Sequence, residues 1–376
     1  MTNLAQYMED NLHQLVQVAY RGLLNNPREA RFALQLQKVF TSSNKRRTKI
    51  KSTRDIDVPP YLIASIATTC NLQCKGCYAR NNGIAANDIS QAKHSLTADQ
   101  WRTIFDDAAQ CGISVALLAG GEPLTRRDVL EQAAQNKKML FPVFTNGTLL
   151  ASDAQWPTSD GKTTTYADFF SQHLNLIPVI SLEGDLSATD NRRGAGVYKM
   201  VTRAMERMQE KRLFFGVSLT VTTENMHQIT SHAYVDDLRD KGCRIVFYVE
   251  YVPIAKDTEH LALTDSHVEE MERTVEQLRN DYPGMIFVSF PGDEKLLDGC
   301  MAAGRGFFHI GPDGAAEPCP FSNHSDTNVF NDGVLNALQS PLFTKIRSAN
   351  MLNWHHTGGC TLYEHRDEVE AMLQEK

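Results

Sequence analysis

The stretch "ATTCNLQCKGCYARN", Ala67 to Asn81, holds Cys70, Cys74 and Cys77 in the spacing C-x3-C-x2-C. Thiolates are soft ligands, suited to zinc or to iron–sulfur clusters. Three is an awkward number for disulfides, which need pairs, and one short of a closed zinc site. Four-iron clusters that only carry electrons take four cysteines. With three, one iron lacks a protein ligand and is open to another molecule, the logic that also marks catalytic zinc. Zinc with a distant fourth ligand is the alternative reading, although no second C-x2-C pair lies near.

Such a loop needs a scaffold, and the chain is long enough to supply one. It has 376 residues, 42% hydrophobic and 22% charged, with a formal charge of −7. That balance gives no general attraction to nucleic acid or to an anionic membrane surface. No apolar run approaches the length of a membrane span, and the start "MTNLAQYMEDNLHQ" is amphipathic and acidic, unlike a secretory signal. A cytoplasmic location is expected, where clustered cysteines bind metal or react rather than pair.

Two helices are expected in the first 55 residues, followed by the basic run "NKRRTKIKSTR" as a solvated linker. From Tyr61 short apolar runs alternate with amphipathic segments: "YLIASIAT", "ISVALLAG", "LFPVFTNG", "LIPVISLEG", "LFFGVSLTVTT" and "CRIVFYVEYVPI". Six strands alternating with helices predict an α/β fold with a parallel sheet, open or partly closed into a barrel. Either form puts its chemistry at the carboxyl ends of the strands. The unusual residues fall there: the cysteine loop after the first strand, "GGEP" (Gly120 to Pro123), "TNG" (Thr145 to Gly147), "SLEG" (Ser181 to Gly184) and "TTEN" (Thr222 to Asn225). Five polar termini on one edge point to a shared pocket.

"CNLQCKGCY" after the first strand of a six-unit β/α core, with "GGEP" one unit later, resembles the radical S-adenosylmethionine (SAM) superfamily over about residues 60–255. The resemblance implies a partial (β/α)6 barrel. It also implies that Cys70, Cys74 and Cys77 hold a [4Fe-4S] cluster whose open iron chelates SAM. One electron then cleaves SAM to a 5′-deoxyadenosyl radical, which abstracts hydrogen from a substrate. By family position Gly120 and Gly121 permit close approach, Glu122 meets the SAM ammonium, and Ser181 and Glu183 contact ribose or methionine. Asn146 and Thr222 are further candidates, and Arg193 pairs with the SAM carboxylate. The family's aromatic residue before the third cysteine is Gly76 here, with Tyr78 after the cysteine instead, which leaves the adenine contact to the backbone of the "YVEYVPI" strand.

Cys300-x13-Gly314-x4-Cys319 resembles the opening of the SPASM or twitch extension of that superfamily, with Cys360 as a third ligand to one auxiliary cluster. His309, His324, His355, His356 or an aspartate are candidates for the fourth. Cys111 and Cys243 read as small buried residues. The expected units are a helical segment with its basic linker (1–55), a core (56–255), a connecting helix and strand (256–298) and a cluster-binding extension (299–376). "FFHIGPDGAAEPC" predicts a hairpin, and "GVLNALQSPLFTKIRSA" a helix.

The expected partners are SAM, a small-molecule or peptide substrate, and a reducing protein such as flavodoxin or ferredoxin. The short helical start lacks room for a winged peptide-binding domain, which inclines the reading toward a small molecule or cofactor precursor. A maturase of ribosomal peptides is the alternative. A non-catalytic iron–sulfur protein is the alternative from another class.

Overall fold

The computed structural model describes residues 27–86, 94–158, 160–297, 299–349, 351–352 and 360–374. The first expected helix, and His355 and His356, lie outside them. The strands are β1 (Tyr61–Ala67), β2 (Val115–Gly120), β3 (Phe141–Thr145), β4 (Trp156–Pro157), β5 (Thr163–Thr164), β6 (Leu176–Leu182), β7 (Gly216–Val221), β8 (Ile245–Glu250), β9 (Ile286–Phe290), β10 (His309–Ile310) and β11 (Ala316–Glu317). Nine of them form one sheet in the order β11-β10-β1-β2-β3-β6-β7-β8-β9, and β4 and β5 make a separate hairpin. All six expected core strands are present, neighbours in chain order and parallel. The sheet stays open, with β9 added parallel to β8 at one edge. At the other edge β10 runs parallel to β1, and the expected hairpin folds β11 back on β10.

The crossovers are the expected amphipathic helices, and their ends follow local chemistry. In Ala98–Cys111, Thr97 and Gln100 form a reciprocal capping box, and Gly112 ends the helix with φ +95°. Its inner face buries Trp101, Ile104, Phe105 and Ala108. One helix was expected from Gly333 onward. Two form, Val334–Leu338 and Pro341–Ser348, because Ser340 caps the second and Pro341 begins it.

The helix Pro27–Arg54 decides which end of the sheet is free. It is continuous over 28 residues, so the basic run is helical and not a linker. The expectation failed because cations on a helix surface are compatible with helix when other residues of the segment are anchored. Arg47 donates to the Gly112 carbonyl at 2.7 Å, and Lys51 pairs with Asp55 and Asp57. Farther up, Phe32, Ala33, Leu36 and Val39 pack with Val115, Leu140, Ile177, Phe214, Ile245 and Ile286, residues near the starts of successive strands. The amino end of the sheet is thereby closed by hydrophobic burial, and the polar termini stay together at the other end. Phe32 is 2% exposed and its ring lies 4.7 Å from that of Phe214. Phe32→Ala is expected to lower the unfolding free energy by about 3–5 kcal/mol, read as a shifted urea midpoint with iron binding retained in the folded protein.

Candidate active site and auxiliary cysteine centre

The cluster loop is set by backbone contacts before any ligand chemistry enters. β2 ends in Gly120, at φ +117°, and Gly121 follows it. The Gly121 and Glu122 amides donate to the carbonyls of Ala67 and Thr69 at 2.7 and 2.8 Å. A side chain at Gly121 would put its first carbon 2.1 Å from the Thr69 oxygen, and one at Gly120 would lie 2.5 Å from that of Ala67. Close approach was expected toward a ligand; the structure shows it toward the root of the loop itself.

Glu122 then joins three segments. It is 1% exposed. One carboxylate oxygen accepts from the Thr145 hydroxyl at 2.7 Å and the Leu124 amide at 3.0 Å, and the other from the Asn146 amide at 2.8 Å. Burial raises its pKa despite these donors. Asn146 carries the connection to the loop, donating to Asn71 Oδ1 at 2.8 Å and reaching Cys70 Sγ at 3.9 Å. Asn71 in turn donates to Thr148. Asn146 is therefore a brace for the loop, a role that its place in "TNG" did not reveal.

On the far side Glu183, 2% exposed, accepts from Arg192 at 2.5 Å and Arg193 at 2.7 Å through the same oxygen. Its other oxygen is buried with no protein partner among the described residues. Arg193 is thus ion-paired and largely covered, not a surface cation. Arg192 was missed by sequence reading. Burial lowers the pKa of its guanidinium, but Glu183 and the nearby Cys74 and Cys77 raise it further. Its carbonyl accepts from the Lys75 amide at 2.8 Å, gripping the loop between two cysteines. Two guanidiniums against one carboxylate leave positive charge beside thiols that must ionise to bind metal. Thr222 is held by Asn225, which accepts from its amide and its hydroxyl and donates to the Glu183 carbonyl. Ser181 is half-buried on β6, in register with Ser218 of β7.

The gap left by Gly76 is filled from β8. Gly76 has φ +63°, and a side chain there would meet the Tyr251 hydroxyl at 2.5 Å. Tyr251 is 4% exposed, and its hydroxyl is buried without a protein partner among the described residues. The Tyr251 side chain, on the segment just after β8, thus occupies the space that a side chain at position 76 would need.

The second cysteine group also assembles. Cys300, Cys319 and Cys360 are 6%, 2% and 7% exposed; the Cys319 and Cys360 thiols hydrogen-bond, and Cys300 lies near both. All eight cysteines are free thiols. Tyr78, half-buried between the two groups, lies near both Cys77 and Cys319, and its ring lies 5.4 Å from that of Phe321. His309 does not join them. It is fully buried, bonded to Ser65 at 2.7 Å and to Glu317 at 2.6 Å, so both ring nitrogens are engaged. Cys111 and Cys243 are buried and contact Asp107 and the Ile245 carbonyl.

Among the described residues no three Cys, His, Asp or Glu side chains stand close enough to hold one metal ion. A four-iron cluster spreads its ligands over separate irons, and three free thiols on one braced loop, with buried polar atoms lacking partners beside it, fit that group. Gly121→Ala is expected to cost about 1–3 kcal/mol and to lower the iron bound at Cys70, Cys74 and Cys77, measured by thermal unfolding and by iron content in a Cys300→Ala background.

Residues 62–160 match a family described as a 4Fe-4S single cluster domain. The chain is 27% identical over 247 residues to the Fe-coproporphyrin III synthase of Methanosarcina barkeri, covering 64% of this chain and 56% of that one. It is 27% identical over 292 residues to the PqqA peptide cyclase of Rhizobium meliloti, covering 75% and 73%. It thus spans little more than half of the first relative's length. Its fold matches Streptococcus suis SuiB, solved with bound S-adenosylmethionine, with TM-score 0.62 and 17% identity over 81% of this chain and 71% of that one. The loop, its brace and these likenesses agree: the chain is similar to radical SAM enzymes, and its cysteine loop fits a [4Fe-4S] cluster of the kind that works with S-adenosylmethionine.

Proposed function

We propose that this chain cleaves SAM reductively and uses the 5′-deoxyadenosyl radical to take a hydrogen atom from a substrate at the carboxyl ends of the strands. The observation that carries this reading is the cluster loop itself: three free thiols braced by Asn146 and Glu122 at the root of β2. The cluster supplies the electron and an open iron for the methionine end of SAM.

The chain's own residues bind and orient. Glu122 keeps lone-pair capacity for an ammonium donor beyond its three protein bonds. The unpartnered Glu183 oxygen suits a hydroxyl donor, which would relieve the cost of a buried unsatisfied carboxylate oxygen. Arg192 and Arg193 offer positive charge to a carboxylate. Tyr251 covers the loop at Gly76 as an aromatic surface for adenine. Gly120 and Gly121 shape the loop root, and Ser181 and Thr222 line the same edge.

Cys300, Cys319 and Cys360 hold an auxiliary [4Fe-4S] cluster for electron transfer or substrate binding, in a small extension after the 56–255 core and the 256–298 connection. Free thiols suit the cytoplasm, with a flavodoxin or ferredoxin as reductant. No described helix is long and apolar enough to cross a membrane.

For substrate we favour a peptide, because PqqA peptide cyclases of several bacteria match this chain over about two thirds or more of their own length. The small-molecule reading is supported by the coproporphyrin enzyme. Greater stimulation of 5′-deoxyadenosine release by the small-molecule fraction of a cell extract than by its peptide fraction would overturn the peptide choice.

Oxygen-free reconstitution is expected to load about eight irons per chain. Dithionite and SAM should then release 5′-deoxyadenosine and methionine. Cys74→Ala should abolish that release while leaving the circular dichroism spectrum unchanged. Undiminished release in this variant would refute the assignment, and zinc in place of iron would promote a structural metal site.

A further inference from the structure

The three auxiliary cysteines leave one iron of a four-iron cluster without a protein ligand. We propose that Glu294 supplies it. The inference rests on the auxiliary-cluster reading above.

Glu294 follows β9 in the turn Gly292–Leu297 and is 4% exposed. Its side chain turns back toward the cysteine segment: one oxygen accepts from the amide of Met301, the residue after Cys300, at 3.0 Å, and the carboxyl lies near the Cys300 thiol. Its carbonyl accepts from the Gly299 amide at 3.1 Å, closing the loop between Glu294 and Cys300. The neighbouring acid is oriented differently. Asp293 takes both its oxygens to Arg279 at 2.8 Å and caps the Ser289 amide at 3.0 Å.

Charge makes the arrangement informative. Glu294 shares the interior with three thiols and with Glu250, 4% exposed at the end of β8. Arg305 is the cation that faces it, and Arg305 also donates to the Cys300 carbonyl at 3.1 Å. Carboxylates removed from water are paired or bind metal, and this group gathers acidic ligands around one cysteine. Three thiolates and one carboxylate carry the four negative charges of an all-cysteine set. Four protons leave on loading, three from sulfur and one from Glu294 if it enters protonated. Glu250 acts on the carboxyl of Glu294, and His309 is engaged by Ser65 and Glu317. Carboxylate oxygen is a harder donor than thiolate, so the iron bound to it is the one most readily exchanged.

The test uses the full chain with Cys70, Cys74 and Cys77 changed to alanine, which leaves one cluster. This parent is expected to keep its four irons through brief ferricyanide oxidation. Adding Glu294→Ala should make the cluster lose about one iron in four and give the electron paramagnetic resonance signal of a three-iron cluster. Glu294→Cys should restore resistance. Complete failure of Glu294→Ala to bind iron, with rescue by Glu294→Cys, supports the same ligand. A parent with four irons whose Glu294→Ala form resists oxidation equally would overturn the ligand. A parent that binds no iron would overturn the auxiliary-cluster reading and this proposal with it.

Discussion

The buried carboxylate of Glu122 is the constraint on which the site depends. A charged group at 1% exposure is stable only when its lone pairs are taken up. Here three of them are met by Thr145, Asn146 and Leu124, donors from the end of β3 and from the turn after β2. Satisfying Glu122 therefore fixes the ends of two strands relative to each other, and Asn146 passes that position on to Asn71 and Cys70. The glycines before Glu122 set the remaining coordinate, because only hydrogen occupies the space facing the Ala67 and Thr69 carbonyls. The loop that must present three thiols is thus held by backbone and hydrogen bonds without relying on its ligands.

A second buried charge group mirrors the first. Glu183, Arg192 and Arg193 form a triad with one excess positive charge next to Cys74 and Cys77. Desolvation makes such a group costly, and its retention beside the cluster loop has a physical use: guanidinium charge favours ionised sulfur and any anionic ligand. The Glu183 oxygen and the Tyr251 hydroxyl are buried polar atoms that have no protein partner among the described residues. Both lie at the carboxyl edge of the sheet, and the helix Pro27–Arg54 has closed the opposite edge.

The two cysteine groups belong to one construction. β10 and β11 continue the sheet from β1, so the segment bearing Cys319 grows from the edge next to the strand that carries the first loop. Tyr78 stands between them with its ring on Phe321, and Asn82 donates to the Pro320 carbonyl at 2.8 Å. Ser65, His309 and Glu317 form a buried hydrogen-bonded row across the same strands. The auxiliary centre is therefore held in register with the first by backbone pairing and by packing.

Periodicity and strand-end chemistry made the parallel core, its helices and the three-cysteine loop legible from sequence, because local apolar pattern and spacing carry that information. The hairpin at Pro312 to Gly314 and the burial of Cys111 and Cys243 were legible for the same reason. What tertiary structure decided is who answers each buried polar group. Asn146 became a brace, Arg192 joined Arg193 on Glu183, Tyr251 filled the place of Gly76, His309 was taken by Ser65 and Glu317, and Glu294 came to Cys300. Most of these pairs are far apart in sequence; Arg192 and Arg193 with Glu183, His309 with Glu317, and Glu294 with Cys300 are the nearer ones. The basic run became helix because its helix was anchored at Gly112 and on the strand starts. Such choices depend on distances between elements, and those exist only once the sheet has formed.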